Sequence, residues 1–484
     1  MQKVFLIPQG LLVLLAVLVS AGCNDNTNSS SENSLSNILF FNANDGVSGW
    51  ELWKSDGTEE GTVLVKDINA ASDSLGSGPS QFAPYKNEIY FSADDYNSTG
   101  SGRNYELWKS DGTADGTFIV KDITPPDSFT WGGAPWGLVE FNNLLFYTAS
   151  TPDDIEVLWK TDGTEAGTDM VQDGSSINIV SPYLFASAEF NNTLYFVGRN
   201  PSDSFFDLWK TDGTSVGTIK VMETYPREPG GLTVFKGALY FIATDDSNIG
   251  HQLWKSDGTS SGTIKMTSAN TIVQYSTGFP ANIVNSGGIL FFQAHDAEHG
   301  YELWKTDGTL AGTKIVKDIN STNPGFGSSI WYFTNVNGVM FFQANDGIHG
   351  MELWKSDGTE SGTVMVKDIN VTTGNASSTP QRLINVAGIL YFVADDGIHG
   401  TELWKSDGTE SGTVMVKDIN IVSTGADSDP NNLEIINSRL FFGANDGIHG
   451  NELWSSDGTE AFTYLVKDIN PGLADGKSRP NKYR

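Results

Sequence analysis

One octapeptide limits what this chain can fold into: ELWKSDGT, intact or with small changes, occurs nine times. Its tryptophans are Trp53, Trp108, Trp159, Trp209, Trp254, Trp304, Trp354, Trp404 and Trp454, and five of the eight intervals between them are 50 residues. A sustained period of that size belongs to solenoids, propellers and arrays, in which each unit buries its apolar surface against a neighbour. The length of 484 residues also exceeds what a single packed core usually holds.

The unit beginning at Pro380 shows the plan most clearly. Four strands are expected, around Arg382 to Val386, Ile389 to Ala394, Glu402 to Ser406 and Thr413 to Ile419. No segment carries a helical period of apolar residues. Strands one and two are joined by two-residue turns, seen as Asn337-Gly338 in the seventh unit and Lys236-Gly237 in the fifth. A type I′ turn needs positive φ at both of those positions, which Asn-Gly accepts readily. DDGIHG and DGTESG link the next two pairs. The link onward to the following unit is longer and variable, as in VTTGNASST and TPPDSFTWGGA. Each unit therefore reads as an antiparallel meander. The fold expected is all-β, a β-propeller of about nine four-stranded blades. Two smaller propellers and an open β-repeat array are the alternatives.

The ends of the chain bear on closure. The first unit enters near Ile38, directly at strand two. Pro480 follows Pro430 by 50 residues, as Pro430 follows Pro380, so the C-terminal tail is expected to supply the strand that the first blade lacks.

Asp and Glu outnumber Lys and Arg by 59 to 29, a formal net charge of −30. That excludes a nucleic-acid binder, which needs a basic footprint. The acidity favours solubility and would be repelled by anionic lipid. The single cysteine rules out an internal disulfide. It lies after Lys3, the apolar run from Leu11 to Val19, and the small residues Ser20-Ala21-Gly22. This arrangement resembles the lipobox of bacterial lipoproteins, although Ser20 stands where that motif usually has Leu. The resemblance implies cleavage before Cys23 and lipidation of Cys23, with Asn24 leaning toward the outer membrane. The expected organisation is a signal peptide over 1–22, a flexible polar tether over 23–36 and the nine-repeat propeller over 37–484.

ELWKSDGT followed by GTxxVKDI is similar to the repeat of bacterial ELWxxDGT-repeat proteins, over nearly the whole mature chain. Units one, two and six to nine carry it well. Units three to five drift: Val157 interrupts the motif, Asp207 and Gln252 replace its Glu, and Glu223 replaces the Asp of VKDI. The resemblance implies a surface or secreted bacterial propeller and brings no settled activity.

Candidate chemistry has plain structural explanations. The Asp of each Asp-Gly-Thr is expected to cap its turn, Gly to take positive φ and Thr to return to β geometry. Calcium held by these carboxylates is the competing reading, so no cofactor is expected, with calcium left open. The tryptophans are expected to wedge between blades, and the Glu two positions earlier to pair with a Lys of the next strand or blade. His299, His349, His399 and His449, each three residues after an Asp, read as turn hydrogen-bonding groups. The H-x-x-E-H match at 295–299 and the G-x-S-x-G matches at 213–217 and 258–262 fall in hairpins, not on the helix or elbow that their chemistry requires. Trp131, in the variable TWGGAPWG segment, is the one residue singled out for binding. No catalytic or metal-ligating residue is assigned.

The function expected is a lipid-anchored envelope propeller acting as a binding or scaffolding module for protein or glycan. Partners are the membrane, through the lipid, and a protein or carbohydrate ligand. A polysaccharide-acting enzyme and an outer-membrane assembly lipoprotein are the alternatives. The location expected is the bacterial outer membrane, facing the periplasm or the exterior.

Overall fold

The computed structural model describes residues 35–471, apart from 71–75, 96–103, 124–132, 203–204, 223–224, 246–249, 268–270, 274–282, 323–324 and 326. Cys23, Trp131 and the expected closing strand of the C-terminal tail lie outside the described residues.

The eighth blade illustrates the unit. Its strands span Gln381–Val386, Ile389–Asp395, Thr401–Ser406 and Val414–Lys417, hydrogen-bonded in that order. Phe392 stands opposite Trp404 in the register. Both central residues of the Asn337-Gly338 and Lys236-Gly237 turns have positive φ, as the sequence requires. Strand two is apolar on both faces: Leu390, Tyr391, Phe392, Val393 and Ala394 are all buried. A strand reads as a continuous apolar run, not an alternating one, when both of its faces are covered. Here the two adjacent blades cover them.

The first blade has three described strands, Leu39–Asn44, Trp50–Ser55 and Val63–Lys66. Leu35, placed in the tether on sequence grounds, is already buried between blades one and two. Blades three and four are hydrogen-bonded into one eight-stranded sheet through Val157 and Val180. In blade six the inner edge is split between Ile272–Val273 and Val284–Ser286.

The apolar cores lie between blades. Each of nine clusters draws on two neighbouring blades, and one of the nine joins blade nine to blade one: Leu39, Phe41 and Trp53 with Ile436, Phe441, Leu453, Val466 and Ile469. An open row of nine blades would have eight such interfaces. The ninth makes this a single closed ring, which excludes both the open array and two smaller rings.

The repeat motif supplies the fastening of each interface. The Lys of ELWK donates to the Gly carbonyl in the next blade's Asp-Gly-Thr turn, as Lys355 Nζ does to Gly408 at 2.8 Å. The Lys of VKD donates to a Thr carbonyl of the next blade, Lys367 to Thr413 at 2.9 Å, and lies 6.0 Å from the centre of the next Trp ring. Across the seam Lys467 Nζ reaches Thr62 O at 2.8 Å. Such charged hydrogen bonds and cation–π contacts add directional preference to non-directional apolar burial.

First strands of consecutive blades adjoin one another. Thr334 Oγ1 donates to Leu383 O, Asn385 Nδ2 to Asn335 O, and Ser286 Oγ to Asn335 Oδ1. These strands therefore surround the ring axis. The strand one–two and three–four turns form one face of the ring, the turn face. The strand two–three loops and inter-blade links form the other, the crossover face.

Candidate functional site: an aromatic collar on the inner strands

The repeated polar residues are occupied by structure. In the Asp-Gly-Thr turn, Asp357 Oδ1 accepts from Thr359 N at 2.8 Å and from Thr359 Oγ1 at 2.7 Å. Thr359 Oγ1 in turn accepts from Gly362 N, and Ser356 Oγ bonds Thr363 Oγ1. These bonds to Thr359 hold the Asp357 carboxyl below its ordinary value. The histidine loops are also turns: His349 Nδ1 lies 2.7 Å from Asp346 Oδ2. Among the described residues no group of three or more His, Cys, Asp or Glu is placed to hold a metal ion. His295 lies in a strand and not on a helix.

The buried glutamate does something other than pair with lysine. Glu402 Oε2 accepts from Ile419 N at 3.1 Å and Ser428 Oγ at 2.6 Å, and Oε1 from Ser428 N at 3.1 Å. It pins both ends of the link that leaves blade eight for blade nine. In most blades the expected Lys partner is engaged elsewhere, with uncharged carbonyls across the interface, while the glutamate finds backbone N–H groups that a buried link must satisfy; in blade four Asp207, which stands in the glutamate's place, does pair with Lys220 of the next strand at 2.7 Å. Burial raises the Glu402 carboxyl to about 7 against these hydrogen bonds.

The non-repeating residues gather on the inner strands. The first strands of blades two to five and seven to nine each carry a β-bulge near the start, on the crossover side. At one register level the chain places Ser80, Trp136, Tyr183, Gly230, Trp331, Gln381 and Asn431, opposite Ser92, Thr148, Val197, Ile242, Gln343, Val393 and Gly443 of strand two. Left-handed residues follow in the bulge: Gln81, Gly137, Gly231, Tyr332, Arg382 and Asn432, with φ between 51 and 67°. A bulge re-aims side chains at the cost of ladder pairing, and bulges concentrate near binding sites. The packing positions of the blades are nearly invariant, whereas this level holds serine, aromatics, glycine and amides.

Three of the seven residues at this level are aromatic, and they recruit others. Trp136 lies 5.6 Å from Tyr183 edge-on and stacks on Phe185 at 5.7 Å; Tyr183 meets Phe206 at 5.1 Å. Arg199 lies over Phe206 at 5.8 Å, and Arg227 over Phe205 at 4.2 Å and Tyr225 at 5.6 Å. Tyr183, Phe185, Phe205 and Tyr225 remain exposed, Phe185 by 59 %. Large rings are seldom left this open in a group unless they meet a ligand or partner.

Two loops hold the group in place. Glu228 N donates to Phe206 O at 2.8 Å and Phe206 N to Glu228 Oε1 at 3.2 Å, locking a loop of blade four onto the start of blade five. Thr148 Oγ1 donates to Pro182 O at 2.7 Å, tying blade three to the inner strand of blade four. Burial raises the Glu228 carboxyl despite the hydrogen bond from Phe206, with Asp207 adding to the rise. Desolvation likewise raises Glu156, against a hydrogen bond with the Trp136 side chain. Rings, two guanidinium groups and two carboxyls thus share one surface, in the blades whose repeat motif drifts.

Reading the sequence placed attention on Trp131, in TWGGAPWG. Trp131 lies outside the described residues, whereas Trp136, toward the other end of the same segment, stands in the collar. The signal was present: Pro135-Trp136 aligns with Pro79-Ser80, Pro380-Gln381 and Pro430-Asn431, so Trp136 is an aromatic substitution at a polar position of strand one.

The fold is that of a closed nine-bladed β-propeller. A scan against protein-family models found no match, and a search of curated proteins found none. Solved structures similar to this chain include a puromycin hydrolase S511A mutant complexed with PGG, at 14 % identity and TM-score 0.39, covering 82 % of this chain and 61 % of that one. A prolyl endopeptidase matches at 12 % identity and TM-score 0.42, over 68 % of this chain and 48 % of its own. The β-propeller domain of the Trilobed protease from Pyrococcus furiosus matches at 10 % identity and TM-score 0.36, over 69 % of this chain and 98 % of its own. The chain thus spans about half to three-fifths of the two peptidases.

Proposed function

We propose that this propeller is a glycan-binding module of the bacterial envelope, held to the outer membrane by a lipid on Cys23. The observation that carries the reading is the exposed group of Tyr183, Phe185, Phe205 and Tyr225 beside Arg199, Arg227, Glu156 and Glu228. A sugar ring presents C–H faces that pack on aromatic planes, and hydroxyls that bond to carboxyl and guanidinium groups. This surface offers both. The lipid anchor rests on the lipobox-like residues before Cys23.

The test is titration with envelope polysaccharide fragments, alongside mass spectrometry of the mature N-terminus for acyl groups on Cys23. Phe185→Ala removes an exposed ring, so it is expected to weaken glycan binding about tenfold while changing stability by less than ~0.5 kcal/mol. Unchanged binding by Phe185→Ala, or a wild-type protein that binds no glycan, would overturn the reading.

A further inference from the structure

The collar is not confined to blades three to five. Trp331, in blade seven, occupies the same register level as Trp136 and Tyr183: the three stand opposite Gln343, Thr148 and Val197, equivalent residues of strand two. Trp331 is 38 % exposed and its neighbour Tyr332, held left-handed in the bulge at φ 59°, is 43 % exposed. Neither serves an apolar cluster of the blade interfaces, where Ile330 and Phe333 do the packing instead. Next to the aromatic group of blades three and four, blade five presents Gly230 and Gly231 at this level, which carry no side chain. On the other side of the ring the level is polar: Gln381 and Arg382, Asn431 and Asn432, Ser80 and Gln81. Arg382 is fixed by Asp429 Oδ1 at 3.0 Å and Pro430 O at 2.7 Å.

We infer that the collar binds a linear, multi-unit glycan along the ring's inner edge, with one aromatic contact at Trp136, Tyr183 and Phe185 and a second at Trp331 and Tyr332. This rests on the glycan-binding reading above and adds to it that the ligand is a chain and that blade seven is part of the site. Two contacts joined by one ligand act with a high effective concentration, so affinity rises with length once the chain spans both and stays flat below that. A monosaccharide-binding site on blades three to five would show no such dependence.

The experiment uses the full mature protein and three sets of probes of one to eight units: cello-oligosaccharides, chito-oligosaccharides and alginate oligomers. For the set that binds, affinity is expected to rise at least about tenfold between the shortest binding oligomer and the octamer. Trp331→Ala is expected to abolish that rise, whereas Phe185→Ala weakens binding at every length. Tyr332→Gly serves as a second variant, since glycine accepts the left-handed bulge. Affinity independent of length, or a rise that survives both blade-seven variants, overturns the inference while leaving the glycan reading intact. Failure of every probe to bind overturns both.

Discussion

Glu51, Glu302, Glu352, Glu402 and Glu452 are each raised from 4.5 to about 7, with burial the dominant cause. The fold therefore favours their neutral form. The stability they contribute is fully present below about 4.5 and is lost as pH rises through about 7. His349, His399 and His449, raised from 6.5 by their Asp partners, act in the same direction, losing their contribution as pH rises beyond their folded values. The turn aspartates act oppositely: their carboxyls are lowered from 3.8, so their contribution is lost as pH falls below that range. The melting temperature is accordingly expected to peak near pH 5 and to decline toward pH 8, as followed by thermal melts across that range. A melting temperature that climbs steadily from pH 5 to pH 8 would contradict this account. Residue roles were only partly legible in the sequence. The Asp-Gly-Thr chemistry is local, spanning a few residues, and could be read directly. The partners of Glu402 lie 17 and 26 residues away on a link that folds back, and no local spacing announces them.

At the level of the hairpin, the strand three–four turn closes through acceptor atoms of one carboxylate. Asparagine keeps such an acceptor, so Asp407→Asn is expected to destabilise less than Asp407→Ala, which loses the bonds from Thr409 N and Oγ1 altogether. Denaturant unfolding of the two variants checks this. Equal large losses for both would instead indicate that charge matters, as a calcium site would require, and adding calcium should then raise the wild-type melting temperature. Strand boundaries in the eighth blade were read to within a residue or two, because period, turn glycines and β-branched runs agree there. The bulge in seven of the inner strands was not foreseen, since it comes from geometry at the axis and is filled by residues as different as Gln81, Tyr332 and Arg382. That same variety kept the collar hidden: a site formed by one residue from each of several blades has no linear motif.

The whole molecule depends on the seam. Phe441 packs against Leu39 and Phe41 of the first blade, and a Cβ at Gly57 would come within 2.9 Å of its ring. Phe341 holds the equivalent place between blades seven and eight. In a closed ring the two are equally buried, so Phe441→Ala and Phe341→Ala are each expected to cost about 3–5 kcal/mol. A much smaller loss for Phe441→Ala in denaturant unfolding would mean that the seam opens in solution. The sequence by itself determined the unit: nine copies, four strands in most, the turn chemistry and the tryptophan wedge, all of which depend on neighbours in the chain or in the next repeat. Only the tertiary structure decided that nine blades close into one ring, that glutamate binds backbone links while lysine crosses to the next blade, and that Trp136, Tyr183 and Trp331 stand at one level. Those outcomes follow from how much each blade rotates against the next. That angle is the sum of many packing contacts, and no short stretch of sequence specifies it.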